Sequence, residues 1–497
     1  MKDFQFFDAL RADLRNYTLD HIAETLGEDA LTALGRDEAV PAQLAAERVG
    51  GQLGLLVRLW WTGDTLSDDD VALAIPCTYR DADGCDGLAE LLECTDDGVR
   101  ARCQLVPVAA GEEELVWIAS DRGSLQGARH NTDHVMGVGG ATRTLAGLAH
   151  YKPGQQVLDL GTGCGIHAIL AAKAGALAVA TDISARALDY AQFNAALNEV
   201  EIETRLGSLF EPVAGSQFDV VVSNPPFVIT PGEVRDNLGT LEYRDGGVPG
   251  DTLAADVVAG LGTCLAPDGS AYMLANWEIA GDVPDWSEHP RAWLASQHLD
   301  AVVIQREVIS ADSYVEMWLH DGGLRAGHAD YAKAYRAWLT DFQARAVSHV
   351  GFGYVLVQRD GEGRLPWQVF HDLRGGMPAD VQGALELLWS AREITEETLS
   401  SLRLTNTNVE EHRRYHPGET DPWLISFAPK NGFADQIQAD TALAGFVSVC
   451  DGELTVGQIC DALAQLLEMP APEVRSSLLP KVMHMVRLGM LQVVDKR

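Results

Sequence analysis

Apolar positions in the first sixty residues recur at helical spacing, with Phe4, Phe7, Leu10 and Leu14 on one face. The same period predicts further helices near 18–34 and 40–61. In the stretch Gly63–Ile75, Ser67 and the aspartates behind it can cap a helix that starts before Val71. Alternation then replaces the helical period at 99–108 and 114–119, which predicts strands.

From about residue 120 short apolar runs alternate with helical stretches. Strands are expected at Gln156–Gly161, Leu177–Ile183, Phe218–Phe227, Gly269–Trp277 and Ala301–Val308, and helices at His167–Ala176, Ser184–Glu199 and Thr252–Ala266. Such alternation implies a mostly parallel sheet with helices on both faces, and a ligand at the carboxyl ends of its strands. Between Ser310 and Val347 lies a helical insert rich in aromatic residues, read as core packing. Gly351–Arg359 is a last strand, and a new region begins after the loop Asp372–Asp380. Its tail reads helix, helix, strand. The chain therefore divides into a helical region 1–119, an α/β core 120–372 and a helical region 373–497. Both flanks look winged-helix-like, a form that binds nucleic acid or serves dimerisation and substrate recognition. The acidity of the first flank favours the second role.

At 497 residues the chain is long enough for about three domains. Its formal net charge of -35 repels phosphate backbones. That charge either keeps the chain soluble or attracts a basic protein. The eight cysteines (Cys77, Cys85, Cys94, Cys103, Cys164, Cys264, Cys450 and Cys460) include no CxxC pair, and the first four, spaced eight or nine apart, have no nearby histidine partners, so no zinc site is expected. Cysteine usage and the charged N-terminus fit a cytoplasmic protein, and no apolar run is long enough to span a membrane.

Two motifs carry candidate chemistry. The first is Asp159-Leu160-Gly161-Thr162-Gly163-Cys164-Gly165, a glycine-rich turn between a strand and a helix. Alternate glycines allow a tight turn and close approach of a ligand to backbone. Asp182, at the end of the next strand, is placed to accept hydrogen bonds from both ribose hydroxyls of a nucleoside, or else to cap the following helix. The second is Asn224-Pro225-Pro226-Phe227, where two prolines end a strand and stiffen its exit. An amide or exocyclic amine nitrogen is a poor nucleophile whose protons need acceptors. The Asn224 side-chain carbonyl and the Pro225 backbone carbonyl can supply two, and Phe227 can stack on a planar group. His134 is either a base or a structural histidine.

At these residues the chain resembles the class I S-adenosyl-L-methionine-dependent methyltransferases of the small-domain type, over about residues 120–280. The resemblance implies a Rossmann-like seven-stranded core and S-adenosylmethionine as cofactor. It implies Asp159, Gly161, Thr162, Gly163 and Gly165 around the methionine moiety, Asp182 at the ribose, Ser208 near the adenine, and Asn224–Phe227 at the target. Val157–Gly165, Thr181–Asn194 and Tyr243–Gly247 resemble the protein-glutamine N5-methyltransferases that modify release factors. Phe227 in place of tyrosine, Ser208 in place of aspartate, and Leu274-Ala275-Asn276 resemble the ribosomal-RNA guanine-N2 branch instead. The segment Asn131–Met136 is expected to cover the cofactor's methionine end. Protein glutamine is the leading target, an RNA or DNA amino group the alternative, and a silent scaffold a third reading that the intact motifs oppose.

The charge generates one expectation directly. In a mobility-shift assay at physiological salt, mixed RNA and duplex DNA should bind no more tightly than micromolar. A submicromolar, sequence-independent affinity would contradict the reading.

Overall fold

A computed structural model of the chain describes residues 4–36, 38–82, 88–109, 115–127, 132–238, 245–281, 285–360, 365–373, 376–433 and 436–494. They form two compact units, Met1–Ala301 with Val308–Pro366, and Val302–Glu307 with Trp367–Arg497.

The first unit opens with helices Phe4–Leu14, Leu19–Leu26, Glu28–Leu34, Ala39–Val49 and Gly51–Leu56, the last running into a π-helical turn, Val57–Thr62. Of the predicted face, Leu10 and Leu14 are fully enclosed beside Tyr17, Ile22 and Trp60, and Phe7 packs half-buried against them. Ser67 caps the helix Asp68–Ala74 by accepting from the Asp70 N–H, with three aspartates in the first turn where the helix dipole favours them. Two hairpins follow, β1 (Leu92–Thr95) with β2 (Gly98–Ala101), and β3 (Cys103–Ala109) with β4 (Leu115–Asp121). The single strand expected at 99–108 is thus two. The Arg102 N–H leaves the ladder for the Leu91 carbonyl at 2.7 Å, and its side chain donates to the Leu92 carbonyl at 3.1 Å. Four-residue β1 was too short for its alternation to register in the sequence.

The core strands are β5 (Gln156–Leu160), β6 (Leu177–Asp182), β7 (Glu203–Leu206), β8 (Phe218–Ser223), β9 (Leu265–Ala280), β10 (Asp300–Ser310) and β11 (Val347–Gln358). Within the first unit they run in the order β11-β9-β8-β5-β6-β7. All neighbours are parallel except β9 and β11. The apolar runs Val157–Leu160 and Val220–Val222 are buried, as a sheet covered on both faces requires. The chain leaves β5 in one direction through β6 and β7 and returns to the other side at β8. The carboxyl ends of β5 and β8 therefore border the crevice where such sheets bind ligands. β10 starts and ends in this unit, whereas its middle groups with the second, where β12 (Gln368–Asp372) lies alongside it. Strands β5 to β12 number eight, one more than the seven expected.

The β3–β4 hairpin is bound to the core by two amides on the helix Ala185–Leu197 and its end. Asn194 exchanges both amide bonds with Ala119, at 2.7 and 2.8 Å, and also donates to the Cys164 carbonyl at 2.8 Å. One turn on, Asn198 does the same with Trp117, at 2.9 and 2.7 Å. A helix thereby satisfies the free edge of β4 as a neighbouring strand would. Val106, Val116 and Ile118 pack beneath these bonds on Ile166 and Ile169.

The second unit contains the helices Val381–Ser390, Thr441–Ser448, Val456–Leu466 and Ala471–Arg487. Thr455 and Gln458 form a capping box at the start of the third. The terminal strand Gln492–Val493 pairs with Arg403–Thr405, which also pairs with Asp451–Thr455, so the expected helix, helix, strand order is present. No helix among the described residues is long and apolar enough to cross a membrane.

Asn194 is fully buried, so its loss strands the Ala119 N–H and two carbonyls. Asn194→Ala should cost about 2–4 kcal/mol, since each buried polar group left unpaired costs about 1–3 kcal/mol. The check is thermal unfolding of the full chain, where an unchanged first transition would remove the amide from this role.

Candidate active site

Strand register brings the predicted residues together. Leu160 is paired with Thr181 on one side and Ser223 on the other, and Asp182 is paired with Leu206. Each strand then ends within a residue or two. Ser208, Asp182, Gly161 and Asn224 consequently follow four adjacent strand ends along one edge of the sheet. Ser223 reinforces the central pair, its hydroxyl donating to the Leu160 carbonyl at 2.9 Å.

The glycine turn is built from backbone that only glycine adopts without strain. Gly161, Gly163 and Gly165 have φ of 74, 54 and 88°. A Cβ at Gly165 would sit 2.8 Å from Ala191, so this glycine lets the turn lie against the next helix. At Gly161 and Gly163 a Cβ would meet nothing within 4 Å, which leaves open space beside the turn. Asp159 is buried behind it and accepts from the Thr162 hydroxyl at 2.6 Å and the Ala168 N–H at 3.0 Å. Burial pushes its carboxyl up to about 6, against those two bonds. Its contacts organise the turn from within. The adjacent His167 is buried with both ring nitrogens unpartnered, and burial pushes it down to about 4.

Asp182 does not cap the following helix. Ser184 does, its hydroxyl accepting from the Ala187 N–H. The Asp182 oxygens accept one each from the N–H groups of Gly163 and Ser184, both at 2.9 Å. Burial raises its carboxyl and these bonds pull it back. The pair of bonds holds the carboxylate next to the glycine turn with a lone pair on each oxygen left over. Ser208 is partly exposed after Gly207, whose φ is 156° and whose N–H donates to the Asp182 carbonyl at 3.0 Å.

In the tetrad, Pro225 is buried while Asn224, Pro226 and Phe227 are partly exposed. The Asn224 Oδ1 atom is buried and has no hydrogen-bond partner. Pro226, Phe227 and Asn276 line a small cavity with Gly246, Gly250 and Asp251. Gly246 fits closely there: a Cβ would stand 2.8 Å from Leu253 Cδ2 and 3.0 Å from the Pro226 carbonyl oxygen. Behind the tetrad the Thr230 hydroxyl donates to Asp245, which also bridges to Val228.

Sequence reasoning missed the group that seats the segment before the core. Asp121, at the end of β4, accepts from the Val135 N–H at 2.8 Å, the Tyr190 hydroxyl at 2.9 Å and both terminal nitrogens of Arg186. Val135 packs with Cys164 and Ile166 of the glycine turn. His134 is buried with Nδ1 3.8 Å from Asp121, in a structural position. Nothing in the local sequence separates Asp121 from the many other acids. Of the residues singled out earlier, Cys85, Asn131, Tyr243 and Arg244 lie outside the described residues.

Residues 137–239 match the family described as methyltransferase small domain. Residues 15–102 match a domain of unknown function, DUF7059. Over 174 residues the chain is 35% identical to the release factor glutamine methyltransferase of Koribacter versatilis, covering 32% of this chain and 59% of that protein. Over 76 residues it is 50% identical to the ribosomal protein L11 methyltransferase of Caldicellulosiruptor bescii, covering 15% of this chain and 25% of that one. The chain thus spans less than two thirds of the length of these curated relatives. A solved ribosomal protein L11 methylase from Lactobacillus delbrueckii subsp. bulgaricus aligns with 44% of this chain and 79% of its own, at 21% identity and a TM-score of 0.25.

The small domain's strand-end carboxylate gives a direct test. Asp182→Ala should weaken S-adenosylmethionine binding by about 2–4 kcal/mol, the worth of two hydrogen bonds to a charged acceptor. Turnover at saturating cofactor should change less. Calorimetry that returns an unchanged affinity would sink the ribose assignment.

Proposed function

We propose that the chain is an S-adenosylmethionine-dependent N-methyltransferase acting on a planar amide or exocyclic amino nitrogen, with a protein glutamine as its target. The observation that carries this reading is the buried Asn224 Oδ1, an acceptor without a donor at the end of β8. A buried carbonyl oxygen left unpaired costs free energy, so such an atom at the end of a strand beside the glycine turn supports a place for a ligand's N–H.

The residues present fit the cofactor. The open space at Gly161 and Gly163 admits the methionine part, and the remaining lone pairs of Asp182 suit two ribose hydroxyls. Ser208, two residues beyond the next strand end, would lie near the adenine. When bound, S-adenosylmethionine supplies an electrophilic methyl group. The chain's own part is to hold and polarise the nucleophile. Asn224 Oδ1 and the Pro225 carbonyl accept the two N–H groups of the target, which fixes its orientation and localises its lone pair. Both acceptors gain strength as positive charge develops on nitrogen, so they act mainly in the transition state. The partly exposed ring of Phe227 offers a face to the planar group.

Protein glutamine is favoured by the name of the release factor relatives and by the net charge of -35, which suits a basic protein better than a polyphosphate. The second reading, an RNA or DNA amino group, is supported by Phe227 in the fourth tetrad position and Asn276 near the end of β9. Labelled methyl transfer to a cell lysate, followed by protease or nuclease digestion, separates them: label released as nucleotides would overturn the protein target.

Removing one preorganised polar group of this kind typically costs about a hundredfold to a thousandfold in turnover. Asn224→Ala should therefore nearly abolish transfer, and Asn224→Asp, which keeps an acceptor oxygen, should retain more. Cofactor affinity should change less than kcat in both, with melting curves unaltered. Near-normal turnover in Asn224→Ala would remove the tetrad from the mechanism.

A further inference from the structure

Tyr314 lies in the helix Ala311–Asp321, part of the helical insert between β10 and β11. It is fully buried. Its ring is surrounded by Phe342 and Phe352, each with its centroid 5.8 Å away, and by Trp318 at 6.1 Å and Trp338 at 6.4 Å. Four aromatic neighbours hold the ring in one place, so the phenolic oxygen has a fixed position before any ligand arrives. That oxygen accepts from the Ile229 N–H at 2.9 Å and from Asn276 Nδ2 at 3.3 Å.

These two donors belong to different segments. Ile229 is two residues beyond Phe227, on the exit from β8. Asn276 is in β9, beside β8, and lines the same cavity as Pro226 and Phe227. One hydroxyl therefore ties the tetrad's exit to the neighbouring strand. Asp245 holds the same exit through Thr230 and Val228. For packing alone a phenylalanine would serve the aromatic cluster as well, because a buried hydroxyl is favourable only where it is hydrogen-bonded.

We propose that Tyr314 is a positioning residue, through which the helical insert fixes the tetrad exit and hence the two acceptor oxygens of Asn224 and Pro225. The proposal rests on the tetrad as the site of the methyl acceptor. Preorganisation of that kind matters because a misplacement of about 1 Å can cost a hundredfold in rate.

Tyr314→Phe in the full chain removes the oxygen and keeps the ring. Amide hydrogen exchange read by mass spectrometry should show Ile229 exchanging about tenfold faster, the loss of one hydrogen bond, with the helix Thr252–Cys264 unchanged. With labelled S-adenosylmethionine and a purified bacterial release factor as acceptor, kcat should fall about tenfold while cofactor affinity stays constant. Leu14→Ala opens a cavity in the separate core around the first helix, so it should lower the melting midpoint and leave exchange at Ile229 unchanged and kcat within about twofold. Unchanged exchange at Ile229 overturns the clamp whatever the activity. Faster exchange with unaltered kcat overturns the positioning role. A wild-type protein that methylates no acceptor refutes the functional reading instead, and the exchange measurement still decides whether the clamp exists.

Discussion

The parallel pairing of β5 with β8 is the constraint on which the site depends. With Leu160 opposite Ser223, the glycine turn and the tetrad leave the sheet side by side, although 63 residues separate those two positions. A slip of one residue would carry Ser223 away from the Leu160 carbonyl and the tetrad out of line with the glycine turn, so this register sets the chemistry at the strand ends. The reversal of strand order at this pair opens the crevice. The turn after β5 supplies glycine backbone to one wall and the exit from β8 supplies carbonyl oxygens to the other.

Around that pair, long-range polar contacts set the positions that apolar packing leaves loose. Asn194 and Asn198 treat the edge of β4 as a strand partner, and Asp121 gathers the start of the same helix, through Arg186 and Tyr190, to the segment that crosses the glycine turn. The N-terminal hairpin thereby braces the surroundings of the glycine turn, since the helix it grips begins three residues after Asp182. On the opposite wall Tyr314 and Asp245 hold the tetrad exit. Asp121, Asn194, Asn198, Asp245 and Tyr314 are each buried and bonded, the condition under which a polar group in a core specifies one arrangement over its alternatives. Asn224 Oδ1, at the start of the tetrad, differs from them in being buried without a hydrogen-bond partner.

By itself the sequence determined the elements and the motifs. Apolar periodicity gave β5, β6, β8, β9, β10 and β11 and the helices Ile166–Lys173, Ala185–Leu197 and Thr252–Cys264, and the cap at Ser67 was legible beside them, because these depend on neighbours a few residues away; short, half-exposed β7 was not. Gly161, Gly163 and Gly165, Asp182 and Asn224–Phe227 were legible for the same reason: each is a local arrangement with its own backbone geometry. The aromatic insert was correctly read as packing, with Trp338 and Phe342 fully buried. Only the tertiary structure decided what depends on residues distant in the chain. It gave Asp182 to the turn and left the cap to Ser184. It turned Asp159 inward to Thr162 and Ala168. It split the stretch 99–108 at Arg102, added β12 beside β10, and made Asp121, Asn194 and Tyr314 the supports of the site. An aspartate, an asparagine or a tyrosine carries no local mark of such a role. Its partner is chosen by the register of strands and helices that meet only when the chain has folded, and sequence periodicity is blind to that meeting.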